Sequence, residues 1–300
     1  MDRKRLHFNF IGRSKIWFTI SALVILAGVI GYFIQGGFNF GIDFLGGTLV
    51  EIEFDQDTES SVIREVLEAE GYGSSIIQQT ASNKYIVRIK AEEIGKPTNA
   101  KGKDDILDAL DEKIGINHEL LQDRTVAPGF GSLLIRNALV AMAISLAGIL
   151  IYVWIRFEFR FGAIAIVTLA HDVLITLGVY AIMSREINTS TIAAILTIIG
   201  YSLNDTIVVF DRIRENTHQS RSMSYSEVVN NSINMTLTRS INTSITTLLP
   251  VIILLILGTT ALKDFALALA IGIISGTYSS IFFASPMLVA WNNRFSKYKK

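Results

Sequence analysis

Six apolar runs, each about 18 residues or longer, constrain this chain more than any other feature. They cover residues 16–34, 138–155, 163–183, 191–210, 240–257 and 265–291. The fifth is expected to start as a helix about a turn earlier, near 236. As helices, all six cross roughly 30 Å of hydrocarbon, where a backbone must satisfy its own polar groups. Six crossings place both termini on one side. Lysine and arginine orient the bundle: fourteen fall on the amino-terminal side, in 1–15, 156–160, 211–235 and 292–300, against Arg185 and Lys263 in the short opposite loops. That asymmetry puts both termini in the cytoplasm. The first run has a basic flank, no A-x-A-like cleavage site and an apolar stretch too long for a signal peptide, so it reads as an uncleaved anchor. With no cysteine in the 300 residues, disulfides, thiol nucleophiles and cysteine metal sites are excluded.

Between the first two runs, residues 35–136 hold 18 of the 27 acidic residues and 10 basic ones, which marks a hydrophilic extracytoplasmic domain. Residues 48–55 alternate, with Val50, Ile52 and Phe54 on one face and Glu51, Glu53 and Asp55 on the other, the pattern of a half-buried strand. Residues 59–70 gather Val62, Ile63, Val66 and Leu67 on one helical face. Short strands near 74–80 and 85–90 follow, then a polar loop at 95–103. A second amphipathic helix spans 103–115, with Ile106, Leu107, Leu110 and Ile114 inward, and a closing strand is expected near 118–126. The order β-α-β-β-α-β predicts a ferredoxin-like α+β unit. His118 has no partners at metal-ligand spacing and reads as a solvated loop residue. No metal, cofactor or nucleic acid is expected.

Asp172, Asp205, Arg239 and His171 interrupt the apolar runs. A charge at mid-membrane costs at least about 2.5–3.5 kcal/mol, so such groups face a bundle interior or a wet path, and pair. Asp205 sits five residues before the end of its run, about 7–8 Å into the inner leaflet at 1.5 Å per residue. Arg239 lies in the same leaflet on the antiparallel neighbour, which predicts an Asp205–Arg239 pair acting as a proton relay. Thr236, Arg239, Thr243 and Thr247 share one helical face, and Asn204 accompanies Asp205, so a polar seam is expected there, supported by His171 and Asp172. Only one of those last two is expected to face a given seam, and a plain helix anchor is an alternative for both. The Asp–Arg pair has its own alternative, the fixing of helix packing or of a partner subunit. Gly272, Gly276 and Ser280 at four-residue spacing predict a helix-packing face, and Pro250 predicts a kink. "DRIREN" (211–216) reads as an inner anchor with local Asp–Arg pairing, and Val228–Val229 as part of a helix lying along the inner surface. In "FGIDFLGGT" (40–48), Gly41, Asp43, Gly46 and Gly47 form a junction and candidate hinge.

These stretches, with "RFEFRFGAIAIVTLAHDV" (156–173), "IIGYSLNDTIVVFDRIREN" (198–216), "TLTRSINTSITTLLP" (236–250) and "GTYSS" (276–280), resemble the SecF family of protein-export membrane subunits in the resistance-nodulation-division (RND) superfamily. Before the second run that family carries V-G-P-x-x-G; here it reads "VAPGFG", with Ala127 in place of the first glycine. The resemblance implies half of an RND-type twelve-helix unit in the bacterial cytoplasmic (inner) membrane, completed by SecD beside the SecYEG channel, with YajC and YidC as further candidate partners. It implies a non-enzymatic role: protons as coupling ion, an outer domain that moves, and an unfolded preprotein helped across late in export. Asp205 and Arg239 match the family's proton-conducting positions, together with an aspartate from SecD. A half-size exporter of small molecules and a passive assembly scaffold are the competing readings. An intramembrane aspartyl protease is disfavoured because Gly200 leads into "YSLND" and no G-x-G-D is present.

Overall fold

The computed structural model describes residues 8–73, 75–90, 101–117, 122–126, 130–220 and 222–295. The expectations for His118, Ala127, Arg221, the extreme termini and most of the 95–103 loop lie outside them. In chain order the elements are α1 (Ser14–Ile34), β1 (Asn39–Phe40), α2 (Ile42–Leu45), β2 (Gly47–Glu53), α3 (Ser60–Ala69), β3 (Ile76–Ala81), β4 (Lys84–Lys90), α4 (Lys101–Ile114) and β5 (Gln122–Val126). Then follow α5 (Phe130–Arg156), α6 (Phe159–Ile182), β6 (Glu186–Ile187), α7 (Thr189–Gln219), α8 (Tyr225–Leu257), α9 (Thr260–Ser279), a π-helical turn at Ser280–Ala284 and α10 (Ser285–Phe295). They form two compact units, Phe40–Val140 and the remainder.

In the smaller unit, four strands pair antiparallel in the order β3-β4-β2-β5. Both β2 and β3 run against β4, which lies between them; they are therefore mutually parallel, and α3 joins them as a split βαβ crossover. Val50 and Ile52, then Phe54 just past the strand, are fully buried, while Glu51 and Glu53 alternate outward. Beneath the sheet, α3 adds Ile63, Val66 and Leu67, and α4 adds Ile106, Leu107 and Leu110. Val62 is exposed because the buried face of α3 centres on Ile63 and Val66. Helix α4 starts at Lys101, so the end of the predicted polar loop is already its first turn.

Six apolar helices run Ile11–Ile34, Gly131–Arg156, Phe159–Ile182, Thr189–Gln219, Tyr225–Leu257 and Leu262–Arg294; the second begins in the smaller unit and the rest belong to the larger. Burial divides them: 44%, 50% and 56% of the apolar stretches of the third, fourth and sixth are buried, against 11%, 6% and 17% for the first, second and fifth. Helices α6, α7 and α9 thus form the centre, and α1, α5 and α8 present broad apolar faces outward. Helix α7 continues through "DRIREN" to Gln219, and α8 begins at Tyr225. Val228 and Val229 are therefore buried in the first turns of a continuous helix and belong to no separate surface helix. Pro250 lies inside α8, which continues to Leu257.

Caps explain where the long helices start. Asn188 accepts from the Thr191 amide at 2.9 Å, and Thr191 answers the Asn188 amide; Ser224 and Glu227 repeat the same reciprocal box for α8. Asn230 and Asn234, one turn apart on α8, hold the extended segment before α1: each donates to the Phe8 carbonyl at 2.9 Å and accepts a backbone amide, from Phe10 and Phe8 respectively, at 2.8 Å. In "DRIREN", Asp211 pairs with Arg156 of α5 at 3.2 Å, where local pairing was expected, and Arg212 pairs with Glu215.

Where α1 crosses α6, a Cβ added to Gly28 would stand 2.6 Å from the Gly178 Cα. A side chain there forces the backbones apart. Gly178→Val is expected to destabilise the purified protein by about 1–3 kcal/mol. Gly148→Val, on α5 with open space around its Cα, serves as the near-neutral control. Thermal unfolding of both variants in detergent checks this.

Candidate functional site

The centre of the bundle holds two buried carboxylates on neighbouring helices. Asp172 of α6 is 0% exposed and Asp205 of α7 is 7% exposed. An unpaired polar group in such a place is costly, so donors must come from the surrounding helices. Asp172 Oδ1 accepts from the His171 ring at Nδ1 (3.0 Å) and from Ser275 (2.6 Å). Its Oδ2 accepts from Ser202 (2.6 Å) and Ser279 (2.8 Å). Four donors from three helices fill the acceptor capacity of a carboxylate. Asp205 Oδ1 accepts from Ser240 of α8 and its Oδ2 from Ser280, both at 2.6 Å. Half its acceptor positions stay open to a further donor.

Helix α9 links the two sites. Ser275 and Ser279, one turn apart, serve Asp172, while the next residue, Ser280, turns to Asp205. Helix α7 links them again, since Ser202 and Asp205 lie one turn apart. Short hydroxyl reach requires close helices, and the small residues provide it. A Cβ on Gly272 would come 2.3 Å from Ile198, and one on Gly276 would come 3.0 Å from Ser202. Gly272 and Gly276 therefore sit at the α7–α9 contact, and Ser280 acts as a donor. The polar file continues along α8, where Ser244 bonds Thr277 of α9.

Two expectations are corrected here. Asp205 meets serines, and among the described residues Arg239 has no ion pair or hydrogen bond through its guanidinium. The inward stripe of α8 is Thr236, Ser240 and Ser244, all buried. Arg239 and Thr243 precede Ser240 and Ser244 by one residue, a rotation of about 100° in a helix of 3.6 residues per turn. They are consequently exposed, as is Asn204, and Thr247 is half-buried. The expected seam thus splits: Asp172 and His171 join the buried cluster, and Asn204, Arg239 and Thr243 occupy an outward face. His171 and Asp172 were expected to face different ways, yet both are buried and bonded to each other, because α6 is covered by α1, α7 and α9 over a wide arc. The His171 ring stacks on Phe283 with centroids 4.4 Å apart, and its buried Nε2 has no partner. The serines at 240, 275 and 279 escaped the sequence reading. Their signal was hydroxyls at four-residue spacing, Thr236/Ser240/Ser244 and Ser275/Ser279. In the candidate hinge, Gly46 (φ 73°) and Gly47 (φ 133°) hold left-handed conformations that favour glycine, Gly41 is extended, and Asp43 is buried within α2.

Six helices long and apolar enough to cross a membrane, with two buried carboxylates among the central ones, define a multi-pass membrane protein. Residues 106–294 match the model of the family described as protein export membrane protein SecD/SecF, C-terminal, and residues 32–58 match the SecD/SecF GG motif. The chain belongs to the SecD/SecF family of protein-export membrane proteins. It is 38% identical over 294 residues to the protein translocase subunit SecF of Rickettsia bellii, covering 98% of this chain and 96% of that one. It is 40% identical to the protein translocase subunit SecDF of Thermus thermophilus, covering 96% of this chain and 39% of the relative. Two crystal structures of SecDF superpose with TM-scores of 0.85 and 0.70, at 39% and 38% identity; the first is a translocon-associated membrane protein of Thermus, the second a super-membrane-facing form. This chain thus spans about two fifths of the SecDF proteins and nearly all of the SecF relative.

Because Ser202 donates to a buried carboxylate and Asn204 faces outward, Ser202→Ala should cost about 1–3 kcal/mol. Asn204→Ala should stay within about 0.5 kcal/mol of the parent. Denaturant or thermal unfolding of the purified chain separates the two.

Proposed function

We propose that this chain is a SecF-type subunit of the Sec protein translocase, acting with SecD to couple the proton gradient to late preprotein export. The observation that carries the reading is Arg239. It is exposed at the inner end of the apolar stretch of a membrane-spanning helix, without an ion pair among the described residues, one position from the Ser240 that holds Asp205. An arginine on the lipid-facing side of such a stretch is costly unless a partner or water meets it. A second six-helix half that supplies a carboxylate to this face meets that need. The SecDF relatives, of which this chain covers about two fifths, carry further length in which such a second half fits.

In this reading Asp205 carries the proton. Its open acceptor positions and slight exposure leave it free to exchange, and Arg239 approaches from the partner side of the same helix contact, with Asn204, Thr243 and Thr247 lining that route. The α+β unit, ferredoxin-like and extracytoplasmic, is the moving part, and Gly41, Asp43, Gly46 and Gly47 are its hinge. SecYEG is the channel served, YajC and YidC are further associates, and the substrate is an unfolded preprotein. The membrane is the bacterial inner membrane, with both termini cytoplasmic.

The test is preprotein translocation into inverted vesicles carrying Asp205→Asn or Arg239→Met, with membrane levels and SecD co-purification measured in parallel. Both variants should assemble normally and lose the stimulation by the proton gradient, down to the rate seen with the gradient collapsed. If they assemble and still respond fully, a passive scaffold replaces the relay.

A further inference from the structure

The relay reading leaves Asp172 without a task, although four donors converge on its carboxylate. Its donors are unevenly placed. Two of the four, Ser275 and Ser279, come from α9, at 2.6 and 2.8 Å, and they immediately precede the residue that donates to Asp205. Ser280 is therefore aimed by the residue beside it. With Ser279 tied to Asp172, the rotation of α9 about its own axis is fixed, and the Ser280 hydroxyl is brought to 2.6 Å from the Asp205 carboxylate, closer than the Thr277 carbonyl at 3.1 Å. The π-helical turn begins at Ser280, whose carbonyl accepts from the Ser285 hydroxyl at 2.9 Å. A π turn is an inserted residue in a helix, tolerated where side chains hold it in place. Here the Asp172 bonds lie on its amino-terminal side and the Ser285 bond within it.

We propose that Asp172 is a positioning residue for Asp205: with His171, it locks α9 in the register that presents Ser280 to the Asp205 carboxylate. The inference rests on Asp205 being the proton carrier and adds the group that sets its hydrogen-bonding state. The titratable side chains around Asp205 are His171 and Asp172 on α6, Tyr201 on α7, Arg239 on α8 and Tyr278 on α9; the others on these helices sit toward the ends. Among the described residues none of them touches the Asp205 oxygens, which meet Ser240 and Ser280 alone. A change in the Asp172 ties that leaves its charge in place therefore reaches Asp205 through the helices, with α9 the direct route.

The experiment is an infrared titration of the protonated-carboxyl band of Asp205, assigned by its loss in Asp205→Asn, on the full chain in lipid nanodiscs. Ser280→Ala removes one donor and should move the midpoint by about one pH unit, a roughly ten-fold change in proton affinity. Asp172→Asn turns one acceptor into a donor facing donors. Ser279→Ala removes one tie and leaves both carboxylates intact. Ser279→Ala should move the midpoint to the same side as Ser280→Ala, and adding Ser280→Ala to it should give little further change; Asp172→Asn also removes a buried charge, which acts on Asp205 directly and in the opposite sense, so Ser279→Ala is the variant that decides. A residue that only stabilises the fold lowers the unfolding temperature without moving this midpoint. If Ser280→Ala moves it and Ser279→Ala does not, the positioning role is overturned, whether or not Asp172→Asn folds. If no Asp205 band titrates and Asp205→Asn exports normally, the relay reading itself has failed, which is a separate outcome.

Discussion

A carboxylate inside a hydrocarbon-spanning bundle must be surrounded by donors, and that requirement organises the larger unit. With neutral serines as the donors, the reach is short, and every helix that contributes one must come close. Asp172 draws in α7 and α9, and Asp205 draws in α8 and α9. Close approach in turn requires small residues where the backbones meet, which is where Gly272 and Gly276 stand against Ile198 and Ser202. Leucine in place of those glycines would give more apolar area but hold Ser275, Ser279 and Ser280 out of reach. The polar centre and the tight helix packing are thus one feature seen from two sides.

The choice of serine has an electrostatic consequence. Hydroxyls satisfy a carboxylate without neutralising it, whereas an arginine would do both. The chain has an arginine at the right depth and places it one position away from the carboxylate's side of the helix. Among the described residues, the His171 ring is the one basic side chain bonded to either carboxylate. The two aspartates differ in how completely they are tied: four donors against two, full burial against slight exposure. The first has its acceptor positions filled, and the second keeps positions open.

How much of this was legible in the sequence follows from which physical signal each feature carries. The six crossings and the strand and helix faces of the α+β unit were readable because length and periodicity are strong signals: Val50, Ile52 and Phe54 alternate, and Ile63, Val66 and Leu67 share a face. Helix ends were less so. Hydropathy marks where the membrane ends, while helices continue as long as caps and packing allow, so α7 runs to Gln219 and α8 starts at the Ser224 cap. At the site, the residues at 171, 172 and 205 stood out because ionisable groups in apolar runs are rare. The facing stripe of α8 did not. Thr236, Arg239, Thr243, Thr247 and Thr236, Ser240, Ser244 are both polar lines on one helix, and composition favours the one with the arginine. Packing against α9 selects the other.

The π turn resolves a phase conflict that no such pattern announces. On a continuous α-helix, the residues below Ser275 and Ser279 on the buried face would be Phe283 and Met287. The observed buried line is Ser275, Ser279, Ala284, Leu288, and its neighbour is Gly276, Ser280, Ser285, Val289. Both lines step four, then five, then four. The single step of five falls at the π turn, where one inserted residue turns the rest of the helix back by about 100°. Without it, either the serines would face the aspartates or Leu288 would face the core formed with Phe161 and Ile233, but not both. The backbone irregularity is the means by which one helix serves a polar centre along its first half and an apolar core along its second.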